Sequence, residues 1–292
     1  MKKKQRRCPI LDSKDITARK IIDLSIEEIR NTPQNRINLI WLEATGCSGN
    51  IISLLNAENP DAAFLLQQLV TLRYNNSLME AQGEEAFSQF LDTLDTEFIL
   101  CVEGAVSTKY EGRCNIIARH NGNWVTAMEA VRMAGERAKY VLAVGTCASY
   151  GGISAARPNP SLCENVPQFL KREVIRVPGC PSHPDWVVGT IANLIAFGMP
   201  ELDEQGRPLI FYGITIHDRC TRRSFFDRGI FASRPGDPEC MFKLGCRGPV
   251  TRTDCPVRQW NGYVNWPIED NTPCIGCAGE RFPDGMEPFI RF

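Results

Sequence analysis

Three groups of cysteines, one of them joined by a histidine, are the residues in this sequence best suited to chemistry. The first group consists of Cys47, Cys147 and Cys180, and each follows a segment rich in Val, Ile and Leu. Thiolates bind zinc and iron–sulfur clusters. Gly or Pro stands within two residues of each cysteine, as in "GTCASYGG" and "PGCPSHP", so the backbone is expected to approach something bulky. We therefore favour a shared metal site over three buried structural cysteines.

The second group combines His217 and Cys220, in "HDRC", with Cys240 and Cys246, in "CMFKLGC". A lone histidine is usually a satisfied polar residue, but a histidine three residues before a cysteine is a better ligand candidate. One histidine and three cysteines complete a four-coordinate site. These ligand types allow either zinc or an iron–sulfur cluster.

The third group joins Cys255 to Cys274 and Cys277 of "PCIGC". The C-x2-C spacing lets one turn offer two thiolates to a common metal centre. No fourth cysteine follows in the sequence. A set of three ligands suits a three-iron cluster better than tetrahedral zinc.

The composition narrows the class of protein. The sequence lacks an apolar signal-peptide region and any window near the ~18 apolar residues of a membrane span, so we expect a cytoplasmic protein, soluble or peripheral to the membrane. Thirteen cysteines among 292 residues then indicate metal or redox chemistry more than disulfides. The net charge of -1 argues against a general nucleic-acid binder. The basic start, "MKKKQRR", is interpreted as a solvated terminus, with a phosphate or membrane contact as the alternative.

The elements that would position the cysteines alternate along residues 37–200, after an N-terminal arm, residues 1–36, with a short amphipathic helix. Strands are predicted in "INLIWLE", "EFILCVEGA" and the first halves of "YVLAVGTCASYGG" and "VIRVPGCPSHP". Helices are predicted in "AAFLLQQLVTL", "WVTAMEAVRMAGERA" and "DWVVGTIANLIAFG". Such alternation predicts an α/β fold with a parallel sheet covered on both faces. The first group of cysteines would meet at the carboxyl edge of that sheet.

Residues 201–292 differ in character from the preceding part. Periodicity fades there, while Gly, Pro, Arg and Cys accumulate. A segment so poor in regular structure needs cross-links or metal to order it. We place a domain boundary near Met199–Glu201.

Six motifs together carry a resemblance to a known family. From about residue 37 to Phe292, the chain resembles the small subunit of [NiFe] hydrogenases. The matching motifs, in order, are "WLEATGCSGN", "VGTCASYGG", "VPGCPSHP", "IHDRCTRRSFFDRG", "CMFKLGCRGPVTRTDCPVRQWNG" and "PCIGCAGERFPDG". Any one of these would be weak alone, but six in order are highly specific.

The resemblance implies a flavodoxin-like domain, residues 37–200, followed by a small irregular iron–sulfur domain, residues 201–292. It implies three clusters that carry electrons from H2 oxidation to an external acceptor protein or the quinone pool, in an uptake enzyme. The nickel–iron centre would belong to a separate large subunit, so this chain would hold no catalytic residue and would form a heterodimer or a higher oligomer of heterodimers. The implied ligands are Cys47, Cys147 and Cys180 for the proximal cluster, Cys255, Cys274 and Cys277 for a medial [3Fe-4S] cluster, and His217, Cys220, Cys240 and Cys246 for a distal [4Fe-4S] cluster.

The sequence departs from the family at Asn50, where most members have a cysteine. Three arrangements are open. Asn50 binds a [4Fe-4S] cluster through its side-chain oxygen, or another nearby group or water supplies the fourth ligand of that cluster. In the third, the fourth iron is absent and the cluster is [3Fe-4S]. We favour a three-cysteine site, whose less negative charge would raise the reduction potential. Gly49 and Gly152 stand about where oxygen-tolerant relatives add cysteines. Pro249 lies near where some relatives place a fourth medial cysteine, and its presence favours three irons there.

Three alternatives remain at this point. The same architecture could serve as a hydrogen sensor, which dye turnover and co-purifying partners would distinguish. A subunit of a quinone-reducing complex would not need the cysteines after residue 201. A zinc-bound scaffold without redox activity would contain zinc in place of iron. Cys101 is expected in the core, whereas no role is assigned to Cys8, Cys114 and Cys163.

Overall fold

A computed structural model of the chain describes residues 18–31 and 36–285. Its strands are β1 (Ile37–Glu43), β2 (Val70–Asn75), β3 (Phe98–Glu103), β4 (Val106–Ser107), β5 (Ile116–His120), β6 (Asn123–Thr126), β7 (Tyr140–Val144), β8 (Cys163–Glu164) and β9 (Ile175–Val177). Its α-helices are α1 (Ala18–Asn31), α2 (Gly49–Leu55), α3 (Ala62–Phe64), α4 (Gly83–Thr93), α5 (Ala127–Arg137), α6 (Gly145–Tyr150), α7 (Val166–Leu170), α8 (Pro184–Ala196), α9 (Leu209–Tyr212), α10 (Arg223–Asp227) and α11 (Cys255–Arg258). A π-helical turn spans Leu65–Leu69, and 3-10 turns span Lys109–Gly112, Gly152–Ala155, Ile216–Arg219, Met241–Leu244 and Gly248–Val250.

The centre of the fold is a five-stranded parallel sheet in the order β2-β1-β3-β7-β9. The central strand β3 is buried along its whole length, as expected where helices cover both faces. Cys101 pairs in register with Trp41 and is fully buried, which confirms its place in the core. The predicted α/β class with a parallel sheet is confirmed.

Two apolar cores lie on the two faces of this sheet. One contains Phe87 and Phe90 of α4 and Val131 of α5. The other contains Trp186 of α8, the buried face of α1 and part of the C-terminal segment. Each large side chain buried in this way contributes roughly 1.5–3 kcal/mol to folding. The carboxyl edge of the sheet, where the first group of cysteines is predicted, is therefore held by packed cores on both faces.

The N-terminal helix α1 packs across α8. An ideal Cβ on Gly189 would lie 2.8 Å from Ile22 Cγ1, so the glycine permits the close crossing. Ile22 and Ile26 are buried in this contact, which fits the amphipathic helix predicted for the arm. Residues 1–17, which include Cys8 and the basic start, lie outside the described residues, as do residues 32–35. Within the described ranges, no helix is both long and apolar enough to cross a membrane.

Two predicted helices begin or end differently in the structure. The segment predicted as a helix over residues 62–72 turns into strand β2 at Val70, because Val70 and Thr71 pair with Ile37 and Asn38 at the sheet edge. The helix predicted from Trp124 begins only at Ala127. Strand pairing holds the preceding residues in β6.

The C-terminal segment, residues 201–285, contains only short helices, turns and isolated bridges among the described residues. Its side chains Phe211, Tyr212 and Trp266 are buried in the same core as Trp186 of α8. The segment is therefore built onto one face of the sheet and shares its core with that face.

Candidate metal centres

The first group of cysteines lies at the carboxyl edge of the sheet. Cys47 occupies the turn after β1, Cys147 lies in α6 directly after β7, and Cys180 follows β9. Burial, with smaller contributions from the nearby thiols of Cys147, Cys277 and Cys47, raises the pKa of Cys180 to about 12. The structure therefore brings the three predicted ligands together, although Cys147 is on a short helix and not on the expected loop.

Two glycines leave the space that these thiols face. An ideal Cβ on Gly49 would lie 3.0 Å from Cys47 Sγ. One on Gly152, whose φ is +47°, would lie 3.0 Å from Cys147 Sγ and 2.9 Å from its backbone N. These are the positions noted above for the added cysteines of oxygen-tolerant relatives. Their missing side chains leave room for a bulky group against the thiols, which fits an inorganic cluster.

The Asn50 amide joins two of the loops at this site. Asn50 is buried in the first turn of α2. Its Oδ1 accepts a hydrogen bond from Ser182 N at 2.8 Å, and its Nδ2 donates to Glu103 Oε1 at 3.3 Å. The amide oxygen therefore holds α2 to the chain that follows Cys180, and the amide nitrogen holds it to the end of β3. Ligation through Oδ1 would compete with the Ser182 contact.

Glu103 is a residue of this site that was not predicted from the sequence. It ends β3, is 1% exposed and accepts hydrogen bonds from Trp41 Nε1, Asn50 N and Ile51 N. Burial raises the pKa of Glu103, while its hydrogen bonds with Asn50 and Trp41 oppose that rise. A single carboxylate that closes the apolar run "FILCVE" is the signal that could have identified it.

The second group lines one cavity, which contains His217, Cys220, Cys240 and Cys246. His217 sits in a 3-10 turn that a reciprocal cap between Thr215 and Asp218 begins. Among the described residues, His217 Nε2 is a buried atom without a hydrogen-bond partner. Burial lowers the pKa of His217, which favours the neutral imidazole that binds metals.

The third group lines a neighbouring cavity of about 470 Å³ together with Cys180. Its thiols are Cys255, Cys274 and Cys277. Burial raises the pKa of Cys255 to about 12 and that of Cys274 well above its usual value. A bound metal deprotonates a thiol that burial would otherwise keep neutral. The sulfurs of this cavity therefore suit metal ligation better than free thiolate chemistry.

Polar groups already point at several of these sulfurs. Thr253 Oγ1 and Trp260 Nε1 lie 3.1 Å and 3.4 Å from Cys255 Sγ. Backbone N atoms donate to Cys274 Sγ and Cys220 Sγ, each at 3.4 Å. Such donors stabilise negative charge on sulfur and tune cluster potentials.

Pro249 does not lie where the sequence comparison placed it. It lines the His217 cavity, whereas Pro267 lines the cavity of Cys255 and Cys277. The interpretation of Pro249 as a medial-site residue is therefore wrong. The chain turns between Gly248 and Val250 and carries Pro249 towards the other group, a reversal that spacing alone does not reveal.

Two short links tie the three cysteine groups into one series. The Thr146 hydroxyl, next to Cys147, donates to the Cys277 carbonyl. Arg247 N, next to Cys246, donates to the Cys274 carbonyl at 2.7 Å. The third group therefore lies between the first and the second.

A buried ion-pair network holds the helix that carries Cys255. Arg258 of α11 lies 2.5 Å from Asp185 Oδ2, at the start of α8, and 2.8 Å from Asp254 Oδ2. Trp186 Nε1 donates to Asp254 Oδ1 at 2.7 Å. This network connects α8 to the third cysteine group, and no pattern in the sequence indicates it.

The remaining described cysteines stay without a role. Cys114 is exposed, and Cys163 is buried on β8 opposite Ser107. Across residues 18–31 and 36–285, no group of three or more His, Cys, Asp or Glu side chains is placed to hold a single metal ion.

Two family models match separate parts of the chain. The model for the C-terminal part of the NiFe/NiFeSe hydrogenase small subunit matches residues 212–290. The model described as NADH ubiquinone oxidoreductase, 20 Kd subunit, matches residues 47–194.

Similar proteins extend over most of the chain. The periplasmic [NiFeSe] hydrogenase small subunit of Desulfomicrobium baculatum is 39% identical over 271 residues, 86% of each chain. The periplasmic [NiFe] hydrogenase small subunit of Solidesulfovibrio fructosivorans is 35% identical over 88% of this chain and 82% of its own. A structure of the recombinant [NiFeSe] hydrogenase from Desulfovibrio vulgaris Hildenborough superposes with a TM-score of 0.83 at 36% identity, covering 89% of this chain and 99% of that chain.

These relatives correct one expectation and decide between others. The expectation of a cytoplasmic protein of cytoplasmic uptake type is wrong, since two of the similar small subunits are named periplasmic. The missing signal pattern was an unsafe guide to location. The alternative of a hydrogen sensor is not favoured, because the relatives are named as enzymes. The chain belongs to the family of NiFe and NiFeSe hydrogenase small subunits, the electron-transfer subunits of enzymes whose catalytic site is on the large subunit.

Proposed function

We propose that this chain holds three iron–sulfur clusters and pairs with a large subunit that carries the nickel–iron centre. When bound, these groups would supply one-electron transfer from H2 oxidation to an external acceptor. The observation that carries the proposal is the unbroken series of cysteine groups, joined through Thr146 and Cys277 at one end and Arg247 and Cys274 at the other. A zinc scaffold would have no need for such a series.

The proposed ligand sets follow the three groups. Each set draws on a cavity or edge described above: Cys47, Cys147 and Cys180 for the proximal cluster, Cys255, Cys274 and Cys277 for the medial [3Fe-4S] cluster, and His217, Cys220, Cys240 and Cys246 for the distal [4Fe-4S] cluster. The proximal set belongs to the proposed flavodoxin-like domain, residues 37–200. The other two belong to the proposed iron–sulfur domain, residues 201–292.

The chain's own residues would exclude water and stabilise charge on the sulfurs. Cys255 and Cys274 are buried, and Thr253 and Trp260 both point polar hydrogens at the Cys255 sulfur. Low polarity around a sulfur strengthens each of these contacts. Such contacts are among the levers that set a cluster's reduction potential.

At the proximal site, we propose that three cysteines bind the cluster and that Asn50 acts as a brace. The Asn50 oxygen already accepts from Ser182 N at 2.8 Å, which supports a site without amide ligation. A neutral amide in place of an anionic thiolate leaves the site less negative, so its potential is expected to lie higher than in a four-cysteine site.

Electron paramagnetic resonance with spin counting on the oxidised heterodimer tests these assignments. One [3Fe-4S] spin per heterodimer is expected if only the medial site has three irons. More than one spin, after allowance for coupling, would assign a three-iron cluster to the Asn50 site as well. Zinc in place of iron, with no such signal, would refute the proposed function.

A further inference from the structure

The surface above His217 is rich in positive charge. Residues 217–247 contain seven basic and four acidic residues, although the whole chain has a net charge of -1. The formal net charge of residues 217–247 is therefore positive, opposite in sign to that of the whole chain. A surface of one sign around an electron exit selects partners of the other sign.

Most of the acidic side chains here are already neutralised. Asp227 lies 2.8 Å from Arg223, which also lies 4.0 Å from Asp218. Asp237 lies 3.3 Å from Arg234. These three aspartates share two arginines and so keep a net charge of -1, and the remaining cations of residues 217–247 outweigh it and determine the sign of the field.

Four exposed cations have no carboxylate within ion-pair distance in the described part of the chain: Arg219, Arg228, Lys243 and Arg252. Arg219 ends the 3-10 turn that carries His217, and Arg252 pairs with Thr215 just before that turn. The unpaired positive charge is therefore concentrated around the candidate distal ligand.

Aromatic rings lie among these cations. The Phe226 ring meets the His217 ring edge-on, with centroids 4.5 Å apart, and Phe242 packs against Phe226 at 5.4 Å. Phe242 is 45% exposed. Lys243 Nζ lies 4.7 Å from the centroid of Phe231. The rings thus reach from the ligand to the surface.

We propose that this surface docks an acidic electron-carrier protein. It is named the distal surface and comprises Arg219, Arg228, Phe242, Lys243 and Arg252. The proposal rests on the proposed function, since it identifies the acceptor at the distal site. Exposed aromatic rings beside arginine are typical of the centres of protein–protein interfaces. A lipid surface usually recruits a long basic amphipathic helix, and α10, at five residues, is too short to be one.

The test compares two haem proteins as acceptors for the H2-reduced heterodimer: acidic cytochrome b5 and basic cytochrome c. At low ionic strength, cytochrome b5 should show a kcat/KM at least about tenfold above that of cytochrome c, and the advantage should shrink as salt is added. Direct binding of oxidised cytochrome b5, measured by sedimentation, should weaken in parallel. Faster reduction of cytochrome c at low salt would overturn the proposal.

The second part of the experiment reverses the charge of two cations on the distal surface. R219E/K243E should lower kcat/KM for cytochrome b5 about tenfold or more and should weaken its binding. The control R119E/R132E makes the same charge change at exposed positions on β5 and α5 and should leave both values unchanged. Equal values for the two double variants would overturn the proposal.

Reduction of benzyl viologen separates the two proposals. This small cationic dye should be reduced at least as fast by R219E/K243E as by the unmodified heterodimer. A heterodimer that cannot reduce the dye under H2 would contradict the proposed function, whereas dye reduction without a cytochrome b5 preference would contradict only the docking surface. Binding to phosphatidylserine vesicles that R219E/K243E abolishes, without that preference, would assign the surface to lipid and overturn the protein partner.

Discussion

Arg258 is expected to control the stability of the medial site. It is a buried cation between Asp185 and Asp254, with nitrogen–oxygen distances of 2.5 Å and 2.8 Å. Arg258→Met would keep a side chain of similar length but would leave two buried carboxylates without their partner. Breaking a buried pair from one side costs about 3–5 kcal/mol, a large share of the about 5–15 kcal/mol that a whole domain has. The midpoint of thermal unfolding should fall by roughly 6–20 °C.

The stability that Arg258→Met loses should also depend on pH, and the loss should grow as pH rises. Burial raises the pKa of Asp254 in the folded protein, and the Arg258 charge opposes that rise. Without Arg258, the folded-state pKa rises further above the unfolded value of about 3.9. The folded variant then binds more protons than the unfolded chain, so its stability is greatest below that value and falls as pH rises. Arg258→Met should therefore be more damaging at pH 8 than at pH 5.5.

A matched control and a rescue make the reasoning refutable. Arg223 also pairs with an aspartate four residues away, Asp227, at 2.8 Å, but this pair is solvent-exposed. Arg223→Met should cost less than about 1 kcal/mol. Adding Asp254→Asn to Arg258→Met should restore part of the loss by removing one stranded charge. Equal losses in the two single variants, or a loss that does not grow with pH, would show that the network is not responsible.

Three further changes address the cysteine groups. Gly152→Ala should lower the iron content per heterodimer, because its Cβ would lie 2.9 Å from the Cys147 backbone N. The control is Gly229→Ala, which is also at positive φ but has open space around it. It should cost only the backbone strain of about 1–2 kcal/mol and leave the iron content unchanged. His217→Ala should reduce H2-driven dye reduction by at least about 10–100-fold while hydrogen–deuterium exchange persists, and a parallel collapse of that exchange would contradict a role at the exit. Asn50→Cys should lower the proximal potential in a redox titration, and an unchanged potential and resonance spectrum would count against a missing fourth thiolate.

The sheet and its cysteine-bearing edge could be predicted because local pattern and global fold agree there. Runs such as "INLIWLE" have the apolar content of a strand buried on both faces, and the structure places β1 at those same residues. Parallel strands bring their carboxyl ends to one edge, so the grouping of Cys47 with Cys180 followed from order alone.

The parts that could not be predicted depend on contacts between distant residues. Val70 belongs to a strand because Ile37 is beside it, and no local periodicity contains that information. Pro249 lines the His217 cavity and not that of Cys255, because the chain turns between Gly248 and Val250. Arg258 reaches Asp185, 73 positions away in sequence, and a lone arginine in a polar segment gives no sign of such a partner.

The core shared between α8 and the C-terminal segment has a consequence for how such a protein can be divided. Tyr212 and Trp266 complete the apolar layer under the sheet, so residues 201–285 are not a detachable module. Cut free, the segment would expose its aromatic side chains to water, and one face of the sheet would keep α1 and α8 but lose part of its apolar cover. The cysteine-bearing segment and the sheet therefore form one folding unit. A substitution in the core of one of them is expected to change the stability of the other.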